Sequence, residues 1–132
     1  MRAVVSIAKS PSDKPLPLAE LCDSEKIPLR FLEQIVLILR RGGILKSRRG
    51  ASGGYLLDKP SSKISLSEIL ELIDGPLELL ESGSATAPKA NSGLCLFFSE
   101  VESELSKKLQ STSIEDIIAK DAQIGEALAF DI

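Results

Sequence analysis

The stretch from Pro28 to Leu57, PLRFLEQIVLILRRGGILKSRRGASGGYLL, constrains this chain most, because its hydrophobic pattern switches from helical to extended within it. Leu29, Leu32, Val36 and Leu39 recur at helical spacing on one side, with Arg30, Glu33, Gln34 and Arg41 on the other. The pattern predicts a helix with one buried face and one polar, outward face. Gly42 and Gly43 end it, as glycine does just past a helix terminus, and a short β-branched run begins at Ile44. The chain then turns through Arg48, Arg49, Gly50, Ala51, Ser52, Gly53 and Gly54 before Tyr55, Leu56 and Leu57 resume an apolar run. Two short strands with a basic, glycine-rich tip predict a hairpin.

Upstream, Leu18, Ala19, Leu21 and Cys22 form the apolar face of a preceding helix, with Glu20, Asp23 and Glu25 outside it. Joined through Ser24 to Pro28, the two helices predict a helix-turn-helix, and the hairpin after it supplies a wing. Pro28 suits the first turn of the second helix, where a missing N–H has no intrahelical partner anyway. Cys22 reads as a small buried hydrophobe. Ala3, Val4, Val5, Ile7 and Ala8 predict a short first helix that ends before Pro11, followed by a turn over residues 12–17.

The same residues carry a family resemblance. R-G-A-S-G-G-Y-L-L at Arg49 to Leu57, preceded by L-E-Q-I at Leu32 to Ile35, resembles the wing and recognition-helix signature of the Rrf2 family of bacterial transcription regulators. The resemblance covers nearly the whole chain. It implies a mainly α fold with a small β-hairpin wing, a winged helix-turn-helix plus a long C-terminal dimerisation helix. Family members begin with a longer first helix, so the resemblance implies that residues upstream of Met1 complete this one.

Beyond the wing, Ser65 and Glu68 stand three apart ahead of Ile69, Leu70, Leu72 and Ile73, predicting a capping box and a helix closed by Asp74, Gly75 and Pro76. After a brief apolar segment at Leu77 to Glu81, Ser82 to Gly93 has little to bury and reads as a mobile loop. Leu94, Phe97, Phe98, Val101, Leu105 and Leu109 then recur at helical spacing. Such a helix projects beyond a core this small, and a second copy related by a twofold axis is the simplest cover for its stripe. Packing within one chain is the alternative. Ser113 and Asp116 cap a final short helix containing Ile114, Ile117 and Ile118, while residues 121–132 form a tail without an assigned place. The organisation expected is a DNA-binding domain over residues 1–76, a flexible effector region over 77–93, and the dimerisation helix and tail over 94–132.

The net charge of −3 is unevenly spread. Residues 1–63 hold twelve Lys/Arg against six Asp/Glu, a net +6, whereas residues 64–132 hold four against thirteen, a net −9. One half is suited to phosphate and the other to protein or solvent. No apolar run approaches the ~20 residues of a membrane span, and the first residues lack a signal-peptide core, so a cytoplasmic protein with no membrane partner is expected. With no histidine and only two cysteines, histidine-based triads and four-thiolate or mixed Cys/His zinc sites are excluded. No phosphate-cradling loop or paired nucleophile and base is visible, so an enzyme is not expected.

The helix and hairpin together suit double-stranded DNA. The major groove admits an α-helix, where Arg30, Glu33 and Gln34 are able to pair with guanine, cytosine and adenine edges, with Pro28, Leu29 and Arg41 beside them. Lys46, Arg48, Arg49 and Gly50 at the wing suit phosphates and a narrow minor groove, with Tyr55 behind them. A homodimer on a palindromic operator is therefore expected. The alternative is a winged-helix interaction or adaptor module that binds a regulatory protein partner and reads no sequence.

The resemblance also bears on cofactors. Several family members hold an iron–sulfur cluster through three cysteines ahead of the dimer helix. Cys95 matches the last of them, but Lys89 and Gly83 stand at the positions six and twelve residues earlier, so that ligand set is absent here. Cys95 is the candidate sensor thiol or, as the resemblance implies, a candidate iron–sulfur cluster ligand. Its place in a first helical turn favours thiolate, whereas burial in a dimer interface would leave it inert.

Overall fold

A computed structural model of the chain describes residues 1–11, 13–80 and 92–130. Six helices and one hairpin follow in the order α1 (Arg2–Lys9), α2 (Leu18–Glu25), α3 (Leu29–Arg41), β1 (Leu45–Arg48), β2 (Gly54–Leu57), α4 (Leu66–Asp74), α5 (Gly93–Ser111) and α6 (Ile114–Phe130), with a single 3-10 turn at Ser61–Lys63. The winged helix-turn-helix and the long C-terminal helix read from the sequence are both present.

The short helices owe their stability to what they bury, since helices below ~12–15 residues are marginal alone. α1 buries Ala3, Val4 and Ile7. Arg2 donates to the Glu25 carbonyl oxygen at 2.7 Å and Ser6 Oγ donates to the Glu25 carboxylate, tying α1 to the end of α2. α2 closes on Lys26, whose φ of 52° turns the chain left-handed, and α3 follows almost at once. Pro28 is the residue just before α3 rather than inside its first turn, and its carbonyl oxygen accepts from Leu32 N at 3.0 Å. Leu32, Val36 and Leu39 are buried as the spacing predicts.

Leu29 departs from that prediction and is 52% exposed, because it is the first residue of α3, three positions ahead of Leu32, where the buried row begins. Ala19 on α2 is likewise exposed, and Cys22 is half-buried against the core instead of enclosed by it. At the other end of α3, Gly42 and Gly43 turn the chain into β1, Gly43 at a φ of +78°. The hairpin pairs Leu45 with Leu57 and Arg48 with Gly54 in antiparallel register.

One core cluster joins nearly every element. Ala3, Val4, Ile7, Leu21, Leu32, Val36, Leu39, Ile44, Leu45, Ile64, Ile69 and Ile114 are all buried in it. Ser65 Oγ accepts from Glu68 N at 3.1 Å to cap α4, but the Glu68 carboxylate pairs with Lys59 Nζ, so only half of the expected capping box forms. The complete box is at α6. Asp116 N donates to Ser113 Oγ at 3.1 Å and Ser113 N donates to Asp116 Oδ2 at 2.9 Å; those hydrogen bonds hold the Asp116 carboxyl below its usual range.

α6 overturns the expectation of a short helix and an unplaced tail. It runs unbroken to Phe130, and its first half packs along α1. Ile114 is fully buried, Ile118 packs against the core, and Lys9 Nζ meets Asp121 Oδ2 at 2.6 Å. Reciprocal backbone bonds, Leu66 N to Thr112 O and Ile114 N to Ile64 O, both 2.9 Å, fasten the start of α6 to the start of α4. Residues 81–91, most of the expected loop, lie outside the described residues.

Truncating Ile114 therefore removes a side chain shared by the two ends of the chain. Ile114→Ala is expected to cost about 2–5 kcal/mol of unfolding free energy, read from a denaturant titration. A change below the cost of a surface substitution, roughly 0.5 kcal/mol, would detach α6 from the core.

Candidate nucleic-acid interface

With Leu32, Val36 and Leu39 inside, the opposite side of α3 has nowhere to point but solvent. Arg30, Glu33, Gln34 and Arg41 are all exposed there, together with Arg40 in the last turn. Two large apolar side chains join them in the first turn, Leu29 and Phe31, the latter 58% exposed. Phe31 was not singled out by the helical spacing. Its signal was its offset from the buried row, one residue before Leu32.

The wing stands beside this face because β1 follows α3 directly. Ile44 and Leu45 are buried, whereas Lys46, Ser47, Arg48, Arg49 and Gly50 are exposed. Arg48 Nη1 donates to the Asp13 carbonyl oxygen at 3.1 Å, so the connection between α1 and α2 braces the base of the tip, and Arg49 extends into the turn itself. A groove of 690 Å³ opens between that connection and the wing, lined among others by Lys14, Arg48 and Arg49.

Two glycines allow this closeness. Gly53 N donates to Gly50 O at 3.0 Å, and a Cβ at Gly53 would fall 2.4 Å from the Arg48 carbonyl oxygen. A Cβ at Gly54 would fall 2.5 Å from the Leu16 carbonyl group. There the preceding connection lies against β2 as a third partner, with Leu16 N donating to Tyr55 O at 3.0 Å and Tyr55 N donating to Leu16 O at 2.9 Å. Tyr55 is half-buried and packed against the core, so it shapes the wing from behind.

The residues expected on the dimer stripe lie on α5. Leu94, Phe97 and Leu105 are exposed, and Phe98, Val101 and Leu109 are half-buried. No α5 residue is fully buried within the chain, and packing along α4 covers the stripe only in part. Leu96, at 60% exposure, extends the apolar surface beyond the predicted set. Phe97 and Phe98 meet edge to face with ring centroids 5.4 Å apart, and Glu102 accepts from Leu79 N at 3.1 Å. Farther on, α6 exposes Ile124 and Leu128.

Cys95 lies in the first turn of α5, half-buried, its backbone N–H donating to Ser92 Oγ at 3.2 Å. Cys22 belongs to α2 and the core, and the positions of Lys89 and Gly83 lie outside the described residues. The chain's two thiols thus sit on separate elements, and among the described residues no group of three or more Cys, Asp or Glu side chains is placed to hold a metal. The donor set does not fit a cluster bound by three cysteines.

Comparison with known proteins is consistent across most of the chain. The family model for Rrf2, described as an iron-dependent transcriptional regulator, matches residues 1–120. The HTH-type transcriptional regulator IscR of Photorhabdus laumondii is 31% identical over 124 residues, covering 88% of this chain and 72% of that protein. An Rrf2-like HTH-type regulator of Rhodobacter capsulatus is 36% identical over 120 residues, covering 85% and 80%. Among solved structures, CymR of B. subtilis, described as its global cysteine regulator, superposes with a TM-score of 0.71 at 28% identity, covering 89% of this chain and 88% of that one. The oxidized form of Staphylococcus aureus CymR gives 0.74 at 26% identity, covering 89% and 87%.

The wing geometry is open to a direct check. Gly54→Ala is expected to push Leu16 off β2 and destabilise the fold by about 1–3 kcal/mol, the usual cost of overpacking, measured by thermal or denaturant unfolding. Unchanged stability would mean that the connection does not rest on the wing.

Proposed function

The chain belongs to the Rrf2 family, and from that premise we propose that it is a sequence-specific DNA-binding transcription regulator that acts as a homodimer on a palindromic operator. The observation that carries the reading is the outward face of α3, with Arg30, Glu33 and Gln34 exposed beside a wing that presents Lys46, Arg48 and Arg49. A helix with such side chains enters the major groove, where each base pair has a distinct donor and acceptor pattern. The wing arginines meet phosphate or the minor groove, where a narrow A-tract strengthens the negative potential.

Two copies pair through α5. Its exposed Leu94, Phe97 and Leu105 form an apolar surface that a second copy covers by symmetry. The twofold axis then sets two recognition helices on half-sites separated by roughly one or more helical turns of ~10 bp. Cys95, at the start of the paired helix, is the thiol through which oxidation reaches the dimer. The oxidized CymR relative supports an input of this kind.

Binding of the full chain to a promoter fragment across a salt series tests the reading. The expected result is a two-half-site footprint, a dimer at micromolar concentration, and affinity that falls with salt. Salt-independent capture of a protein with no footprint would favour an adaptor. Arg49→Ala is expected to weaken specific binding by about 1–3 kcal/mol if it touches a base edge, or to weaken all sequences alike and lower the salt slope by about one unit if it meets phosphate. Wild-type affinity in that variant would remove the wing from the interface. Cys95→Ser is expected to bind DNA normally under reduction and to ignore oxidant; a variant that still responds like the parent places the input elsewhere.

A further inference from the structure

Phe31 is the feature of the outward face that hydrogen bonding does not explain. It is 58% exposed in the first turn of α3, although an aromatic ring is among the largest apolar surfaces a chain is able to bury. Leu32, the next residue, is fully buried, so the helix is not rolled to bring Phe31 inside. At helical spacing it neighbours Gln34, three residues on, and Ile38, seven on, which is 39% exposed. Arg30 precedes it directly. A hydrocarbon shoulder thus runs along the row of polar side chains proposed above to read base edges.

What covers this shoulder is decided by charge. Arg30, Arg40 and Arg41 lie on the same helix, and Lys46, Arg48 and Arg49 on the adjoining wing. A second copy seated face to face would bring those cations against their own equivalents, and like-charge juxtaposition opposes association. A polyanion meets no such opposition. The occupant that suits both the cations and the ring is therefore duplex DNA, with the phosphates on the cations and a base edge under Phe31.

We propose that Phe31 reads a thymine methyl group in each half-site, making it an apolar specificity determinant beside Arg30 and Gln34. The inference rests on the DNA-binding reading given above. In the major groove the 5-methyl of thymine is the hydrocarbon group on a base edge, whereas guanine, cytosine and adenine present donors and acceptors. A phenyl ring placed over those groups strips their water and returns no hydrogen bond, which is costly. Over thymine it buries hydrocarbon on both sides. Phe31 thus adds a base preference that Arg30, Glu33 and Gln34 do not encode by hydrogen bonding, and it does so from the N-terminal turn, the part of a recognition helix that approaches base edges.

The experiment uses the full chain and a duplex that the chain itself enriches from a random pool. Each thymine of that duplex is replaced in turn by deoxyuridine, which removes the methyl and leaves the pairing edge intact. One thymine per half-site is expected to lose affinity for the wild-type protein by about fourfold on replacement, the worth of one buried methyl. Phe31→Ala should bind the thymine and deoxyuridine duplexes equally, while Phe31→Leu, which keeps an apolar end, retains the preference. The exposure of the side chain means that helix content by circular dichroism should be unaltered in both variants. Equal binding of every deoxyuridine duplex by the wild type, or a preference that survives in Phe31→Ala, overturns this inference while the enriched operator upholds the DNA-binding reading. A chain that enriches no sequence at all overturns both.

Discussion

The orientation of α3 is the constraint on which the rest of the molecule depends, and it is set by burial rather than by the helix itself. A helix of this length is marginal in isolation. Leu32, Val36 and Leu39 are 0–2% exposed within a cluster that also takes in Ile44, Ile69 and Ile114. Each such side chain is worth about 1.5–3 kcal/mol when buried, so rolling the helix by one residue forfeits several of these contributions together. The outward row from Arg30 to Arg41 is the complement of that stripe. The side chains proposed to read DNA are thereby aimed by residues that are themselves buried.

The C-terminal helices are anchored to the same frame. The bridge between Ser65 and Ser113 holds the first residues of α4 and α6 side by side, with Ile64 and Ile114 buried at the junction. α5 ends at Ser111, immediately before this bridge, and packs along α4. α5 is thus tied at its end to the core that orients α3. The Lys9 to Asp121 pair adds a contact between the first and last helices, but both side chains are substantially exposed, and an exposed ion pair contributes little.

Two surfaces of opposite chemistry result. α3 and the wing present arginine and lysine around a small apolar shoulder, whereas α5 and the far half of α6 present leucine, phenylalanine and isoleucine among acidic residues. The charge imbalance between the halves of the sequence is thus laid out on separate elements, the basic side chains on α3 and the wing and most of the acidic ones on the C-terminal helices.

Much of this was legible in local spacing, and the limits of that legibility have a physical cause. Periodicity disclosed the buried stripe of α3, glycine chemistry its end at Gly42 and Gly43, and Ser113 with Asp116 the start of α6, because each signal is written within a few residues. The motif from Arg49 to Leu57 likewise carried the family. Spacing gave no account of residues 121–130, which continue α6 beyond the half that packs on α1, more than a hundred residues away in the chain. It also placed Leu29 inside, assumed a reciprocal cap from Glu68, and left Phe31 unremarked. Where an element meets the edge of the core, which carboxylate a lysine claims, and which apolar side chain remains in water are settled by partners distant in sequence. Element type is a local property of this chain, whereas exposure and anchoring belong to its tertiary packing.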